Sequence, residues 1–294
     1  MNNSFKGLFA VHSAVLIFGL TALFSKIITL SALEITLLRS IFAAFIIFVF
    51  FLWQKTSLRL STAKDYGVVI LLGVLLALHW VTYFHAMQVS SVAVGVIALY
   101  TFPVMTVFLE PLFHGEQPHF KDVMSAVVVF VGIYLLVPEF SLSNETTLGI
   151  LWGVLSALFF ALRNIVQGHY FKGYSAKHSL FYQTLVTFIV LLPFSYEVMP
   201  EVTNVQWGQL LILGIFFTAV PHTLFAFSLL NLKAKTVSLV ACVQVVYATI
   251  FSALLLGEWS EISTVVGGLI VVSAAMYESY TAGQSKNTIT KNSK

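Results

Sequence analysis

One cysteine, Cys242, occurs in 294 residues. That excludes an internal disulfide and any multi-cysteine metal cluster. Charge is also scarce: Asp, Glu, Lys and Arg make up 9% of the chain, against about 25% in a soluble domain. With 59% hydrophobic residues, no soluble globule of this size could hide its apolar surface, so the natural solvent is a lipid bilayer. The formal charge of +3 is spread over loops and is no nucleic-acid signal. Long polar connections are missing too. The longest runs over 54–66, which leaves no room for a soluble domain. Residues 1–6 form a short basic start that runs into apolar sequence without a clean small-x-small cleavage site, so they read as the start of a retained first span.

What the chain does have is apolar runs near the ~20 residues needed to cross a membrane. Ten are expected, at 7–28, 33–53, 67–87, 92–113, 120–138, 148–169, 178–196, 207–229, 236–256 and 261–280. The short connections make neighbouring spans antiparallel hairpins. Positive residues favour cytoplasmic loops. An inside N-terminus places Lys6, Lys55, Arg59, Lys64, Lys121, Lys172, Lys177, Lys233, Lys235, Lys286, Lys291 and Lys294 on one side, 12 of the 15 Lys and Arg. The opposite connections hold Glu34, Glu139, Glu145, Glu197, Glu201, Glu258 and Glu261, with Lys26 alone among the bases. Both termini are therefore expected in the cytoplasm of a bacterial inner (plasma) membrane protein. The polar tail over 283–294 is expected to be disordered.

A single shift aligns the chain with itself. Gly115-Glu116 and Gly257-Glu258 each follow an apolar run, and 257 − 115 = 142. The same shift lays Ala93-Val94-Gly95-Val96-Ile97-Ala98 over Lys235-Thr236-Val237-Ser238-Leu239-Val240, and Phe18-Gly19-Leu20 over Phe160-Ala161-Leu162. The expected fold is an all-α membrane protein of ten helices in two five-helix repeats, 7–138 and 148–280. Five is odd, so the second repeat starts outside and is inverted, the plan by which many secondary transporters build two states around one midplane site.

Several stretches resemble the drug/metabolite transporter superfamily, in its ten-helix EamA-like branch. They are Phe18-Gly19-Leu20-Thr21-Ala22-Leu23-Phe24-Ser25-Lys26, Glu34…Arg39, the passage from Tyr83 to Ala93, Phe102-Pro103-Val104 and Gly115-Glu116. The second half matches less closely, with Val245 where the first has Pro103 and Phe181 where it has Arg39. The resemblance covers nearly the whole chain. It implies a bundle in which spans 1–4 and 6–9 enclose a central cavity, and export or exchange of small organic solutes by alternating access. It does not fix the cargo, since members move amino acids, nucleotide sugars, cations and drugs.

Polar residues inside a membrane are costly, so each is a candidate site residue. His79 and Trp80 lie near the middle of the third span, with Tyr83 one turn on from His79. His222, after Pro221, lies mid-span in the counterpart helix; Gln244 and Tyr100 are central in spans 9 and 4. Both halves thus supply a histidine and a polar group at similar depth. The bland alternative is that each only bonds to a neighbouring helix, worth about 0.6–2 kcal/mol. Histidine titrates near pH ~6.5, so His79 or His222 could couple transport to protons; with no Asp or Glu at the midplane, a carboxylate relay is not expected. Asn164 and Gln167 share a helix face, and the 142 shift lays Thr21 over Arg163 and Ser25 over Gln167, a second polar pair related by the repeat. Arg163 reads as snorkelling to the headgroups, the alternative being the cavity mouth.

Lys26, Glu34 and Arg39 mark the outer side. Arg39 needs an acceptor, either a substrate carboxylate or a helix end, and the structural role is the preferred reading. Pro103 and Pro221 should kink their spans and free carbonyls. Gly149, Gly153, Ala157 and Ala161 recur every four residues and permit close packing. Ser263 and Gly267 offer a shorter version that could serve a weak homodimer; otherwise the protein is a monomer. No metal and no cofactor are expected. The function that follows is a secondary transporter of small organic metabolites, exporting amino acids or related compounds. An uptake or drug-efflux carrier of the same fold is the alternative. A membrane enzyme acting on a lipid or isoprenoid ranks lower, because His114, His119, His169, Lys172 and His178 lack paired carboxylates at ligand spacing. A scaffold would have no need of midplane polar residues.

Overall fold

Every regular element in the described part of the chain is helical, because in lipid each backbone N–H and C=O must find its partner within its own segment. The computed structural model describes residues 3–114, 120–137, 139, 141–171, 173–195, 201–232 and 234–292. The Gly115-Glu116 copy of the repeat mark, together with His119, Lys172, Glu197, Lys233 and Lys294, lies outside them.

The helices are α1 Asn3–Ile27, α2 Ala32–Trp53, α3 Ala63–Val89, α4 Val92–Leu99, α5 Phe102–His114, α6 Phe120–Leu136 and α7 Glu145–Tyr170. There follow α8 Ala176–Ser195, α9 Asn204–Gly214, α10 Val220–Asn231, α11 Ala234–Ala241, α12 Gln244–Phe251 and α13 Ile262–Asn292. Polar caps punctuate the apolar runs. Ser31 with Glu34 and Thr62 with Asp65 form reciprocal capping boxes on α2 and α3, and Thr203 with Gln206 does so on α9. Each such cap contributes about 1 kcal/mol. Glu34 is thereby occupied, its Oε2 accepting from the Ser31 amide at 2.7 Å.

Eight segments are long and apolar enough to cross a membrane: Phe5–Ile27, Ala32–Trp53, Ala63–Val89, Val92–Pro111, Glu145–Tyr170, Ala176–Ser195, Asn204–Leu229 and Leu239–Leu256. Two further apolar stretches, Val123–Leu136 and Ile262–Glu278, are shorter. The protein is an integral, multi-pass membrane protein. Its outer surface carries exposed Phe9, Phe45, Phe130, Leu254 and Leu269, side chains that lipid accepts.

Small residues set the closest helix contacts. A Cβ on Gly153 would lie 2.5 Å from Ala98 Cβ, and one on Gly149 would strike Ser90, so the ladder on α7 packs against α3 and α4. The Ser263–Gly267 pair does not offer a free dimer face. A Cβ on Gly267 would stand 2.6 Å from the Gly132 carbonyl, so α13 spends that residue on α6 of the same chain. The tail also departs from expectation: α13 continues to Asn292 rather than ending near Gly283. Extending an existing helix costs far less than nucleating one.

Candidate functional site

Two spans are interrupted at matching places. α4 ends at Leu99 and α5 begins at Phe102; α11 ends at Ala241 and α12 begins at Gln244. The gaps at 100–101 and 242–243 are again 242 − 100 = 142 apart. The first break comes just before Pro103, which has no N–H to give. The second has no proline. There the Val245 amide turns back to Cys242 O at 3.4 Å, and the Ala241 carbonyl is taken by the Tyr100 hydroxyl at 2.5 Å. Tyr100 OH also lies 3.1 Å from Gln244 Oε1. One side chain thus joins the two interruptions.

Pro221 produces a third irregularity, and it is not a simple kink. The five residues Ile215–Ala219 form a π-helical turn ahead of it. Proline cannot bond the carbonyl four residues back, which is that of Phe217. The Thr21 hydroxyl of α1 reaches this oxygen at 3.0 Å while sharing its proton with Ile17 O at 2.8 Å. Thr21 therefore satisfies a freed carbonyl. Ser25 bonds back to Ala22 O in its own helix at 2.7 Å.

The two histidines are held alike. His79 Nδ1 lies 2.8 Å from Ser156 Oγ on α7, and that hydroxyl donates to the His79 carbonyl at 2.9 Å. With the serine proton so committed, Nδ1–H donates. His222 Nδ1 lies 2.7 Å from the Thr218 carbonyl, which can only accept. Both rings thus carry hydrogen on Nδ1 and present Nε2 as an acceptor. Around them the His79 ring stacks on Tyr83 at 5.9 Å, and Trp80 meets His222 edge-on at 6.2 Å. The Arg39 guanidinium sits 4.0 Å from the Trp80 ring centroid. The Tyr83 hydroxyl approaches Gln244 without a hydrogen bond of good geometry. The structure therefore gathers His79, Trp80, Tyr83, Tyr100, His222 and Gln244 from α3, the α4–α5 break, α10 and α12 into one aromatic and polar centre, and adds Arg39 of α2 to it.

Asn164 and Gln167 sit apart from this centre, toward the end of α7. They line a cavity of about 340 Å³ with Gly168, Phe171, Tyr174 and Ala176. Arg163 does not snorkel. Its Nε donates to Gln183 Oε1 at 2.7 Å and its Nη1 to Asn164 Oδ1 at 2.9 Å. Gln183 is fully buried and also donates to Gln167 Oε1 at 3.1 Å. It links this network together, and sequence reasoning missed it, although a glutamine inside an apolar run carries the same signal as Gln244.

At the other end of the bundle Lys26 does not join Glu34 and Arg39. Its Nζ donates to Ser90 O at 2.7 Å and lies 3.6 Å from Glu258 Oε1. Glu258 Oε2 accepts from the Val92 amide, at the start of α4, at 3.0 Å and from Ser252 Oγ at 2.6 Å. Gly257, at φ +72°, supplies the left-handed turn that folds Glu258 back to this position.

Comparison with known proteins agrees with this architecture. The model of the EamA-like transporter family matches twice, over residues 5–137 and 147–278. The chain is 25% identical over 285 residues to the uncharacterized transporter YxxF of Bacillus subtilis, covering 94% of this chain and 90% of that one. It is 24% identical to an S-adenosylmethionine uptake transporter of Rickettsia felis, covering 85% and 84%. It is 27% identical to the pseudopaline exporter CntI of Pseudomonas aeruginosa, covering 84% and 86%. A solved crystal structure with 14% identity superimposes at a TM-score of 0.64 over 96% of this chain and 98% of that one, a likeness of fold. With the family model matching both halves, the chain belongs to the EamA-like transporter family.

Proposed function

We infer that the protein is a secondary transporter that exports amino acids or related small metabolites by alternating access. In this reading ten helices form two inverted repeats, 7–138 and 148–280, with a polar tail over 283–294, in a bacterial inner membrane with both termini cytoplasmic. The observation that carries it is the meeting of two interrupted helices at Tyr100 and Ala241. Broken helices at mid-depth are where such carriers hold cargo. His79, Trp80, Tyr83, Tyr100, His222 and Gln244 form the binding region, and the cavity at Asn164 and Gln167 is its route to one side. The free Nε2 atoms of the two histidines are the acceptors that cargo donors, or a coupled proton, would use.

Relatives named for uptake and for export bear on direction in opposite senses, so direction needs its own measurement. The test is counterflow in proteoliposomes loaded with unlabelled amino acids, repeated with inside-out membrane vesicles. Accumulation of labelled amino acid, lost in Gln244→Leu protein that still elutes as a single folded species, supports the carrier reading. Vesicles that accumulate cationic dyes but no amino acid would move the assignment to drug efflux. Collapse of uptake on adding a protonophore would assign proton coupling, and unchanged uptake would remove it.

A further inference from the structure

Arg39 is a buried cation with no counter-charge. It is 2% exposed, and neither Nε nor Nη1 has a hydrogen-bond partner. Among the described residues the ion pair present is Lys26 with Glu258, so no carboxylate answers Arg39. Aromatic faces hold it instead, with Cζ 4.0 Å from the Trp80 centroid and 5.0 Å from that of Phe84. Cation–π attraction offsets part of the desolvation, but it fills none of the guanidinium's directed N–H donors. Two buried hydroxyls nearby are also unfilled. One is Thr36 Oγ1, one turn earlier on α2; the other is Tyr83 OH, which feels the Arg39 charge. Arg163, on α7, shows the contrast: two of its nitrogens are engaged by Gln183 and Asn164.

A buried unpaired charge is kept in a membrane protein where function uses it. The planar fork of guanidinium matches the two oxygens of a carboxylate. The geometry points to Arg39 as the receptor for a carboxylate group of the cargo, with Tyr83 and Thr36 as flanking hydroxyls and Trp80 as the floor that steadies the guanidinium while the site is empty. This rests on the reading that cargo enters the central cluster, and it narrows the cargo to solutes bearing a carboxylate. A solute with only positive charge meets repulsion there. An amide of the same shape leaves the cation uncompensated.

The test is thermal stabilisation of the purified protein in detergent by matched pairs at equal concentration: L-phenylalanine and L-phenylalaninamide, L-leucine and L-leucinamide, acetate and acetamide, with inorganic phosphate as a further anion. The acids should raise Tm and the amides should not. Arg39→Met should abolish the response to acids while its ligand-free Tm stays at or above the parent's, because an uncompensated buried charge has gone. A purely structural Arg39 would instead lower the ligand-free Tm on replacement. Equal responses to acids and amides, a response to acids that survives Arg39→Met, stabilisation by phosphate alone, or silence of every acid would each overturn the assignment. If acids and amides stabilise alike and both responses vanish in Gln244→Leu protein, the central site stands and only the role of Arg39 falls. The counterflow measurement decides the carrier reading separately.

Discussion

Replacing Glu258 with Gln tests whether the Lys26–Glu258 contact holds its end of the bundle closed. The carboxylate draws together three elements: the end of α1 through Lys26, the start of α4 through the Val92 amide, and the segment after α12 through Ser252. Two charges about 4 Å apart attract by roughly 4 kcal/mol at an effective dielectric near 20. The Lys26 and Glu258 side chains are 26% and 23% exposed, so solvent and side-chain ordering cancel most of that; isolated surface pairs net about 0–1 kcal/mol. The two hydrogen bonds to the carboxylate raise the value, and glutamine keeps part of them. The expected loss is about 1–2 kcal/mol, or a factor of roughly 5–30 in the ratio of closed to open forms.

The native reporter is Cys242, which is 2% exposed and adjoins the second break. In vesicles of known orientation, a membrane-impermeant maleimide added on the Lys26 side should label Cys242 about 5–30 times faster in the Glu258→Gln protein. Lys26→Met should act alike, and the double variant should add little to either, since both remove one interaction. An unchanged rate in Glu258→Gln protein at a temperature where it stays folded would refute the reasoning. So would full additivity of the two single changes.

Other outcomes follow from the helix interruptions and close contacts. Thr21→Val should lower stability by about 1–3 kcal/mol by orphaning the Phe217 carbonyl; in a Pro221→Ala background, where the amide at 221 can bond that oxygen, the same change should cost much less, as a thermal-unfolding double-mutant cycle would read. Tyr100→Phe should return the Val245 amide from Cys242 to the Ala241 carbonyl, measured as slower hydrogen exchange at Val245 and a smoother α11–α12 junction; unchanged exchange would show that the break does not depend on Tyr100. Gly153→Ala should cost about 1–3 kcal/mol by overpacking against Ala98, whereas Gly168→Ala, with nothing near its new methyl group, should be neutral or stabilise by up to about 1 kcal/mol, both read as shifts in Tm.

Eight of the ten expected spans were legible because length and apolarity decide them residue by residue, while Val123–Leu136 and Ile262–Glu278 are shorter. The polar centre was legible in part, because any polar residue inside a run stands out. His79, Tyr83, Tyr100, His222 and Gln244 all meet in space as their shared depth suggested. Partners were not legible. Thr21 looked like half of a polar pair with Ser25, but the carbonyl it serves is 196 residues away. Lys26 is near Glu34 in sequence, yet Glu34 is spent on its own capping box and Lys26 crosses to Glu258. Arg163 lies near a span end, which favoured snorkelling; buried Gln183 draws it inward. Depth is a property of position along the helix. Which helices are adjacent, and which face each turns, depends on packing that no local pattern encodes.

Two backbone irregularities, at Phe217 and at Ala241, are satisfied in the same way. Both are in the second matched segment, 147–278, and both leave a carbonyl without its usual amide: Phe217 because Pro221 follows, and Ala241 because Val245 bonds elsewhere. In each case the missing donor is a hydroxyl from the first matched segment, 5–137, Thr21 at 3.0 Å and Tyr100 at 2.5 Å. An irregular backbone survives at membrane depth only where protein or a watered cavity supplies the lost bonds. The first segment thus makes the irregularities of the second tolerable, and the two cannot separate at the centre without exposing those carbonyls. If the segments rock against one another in transport, water or cargo must take over these two oxygens as the hydroxyls withdraw.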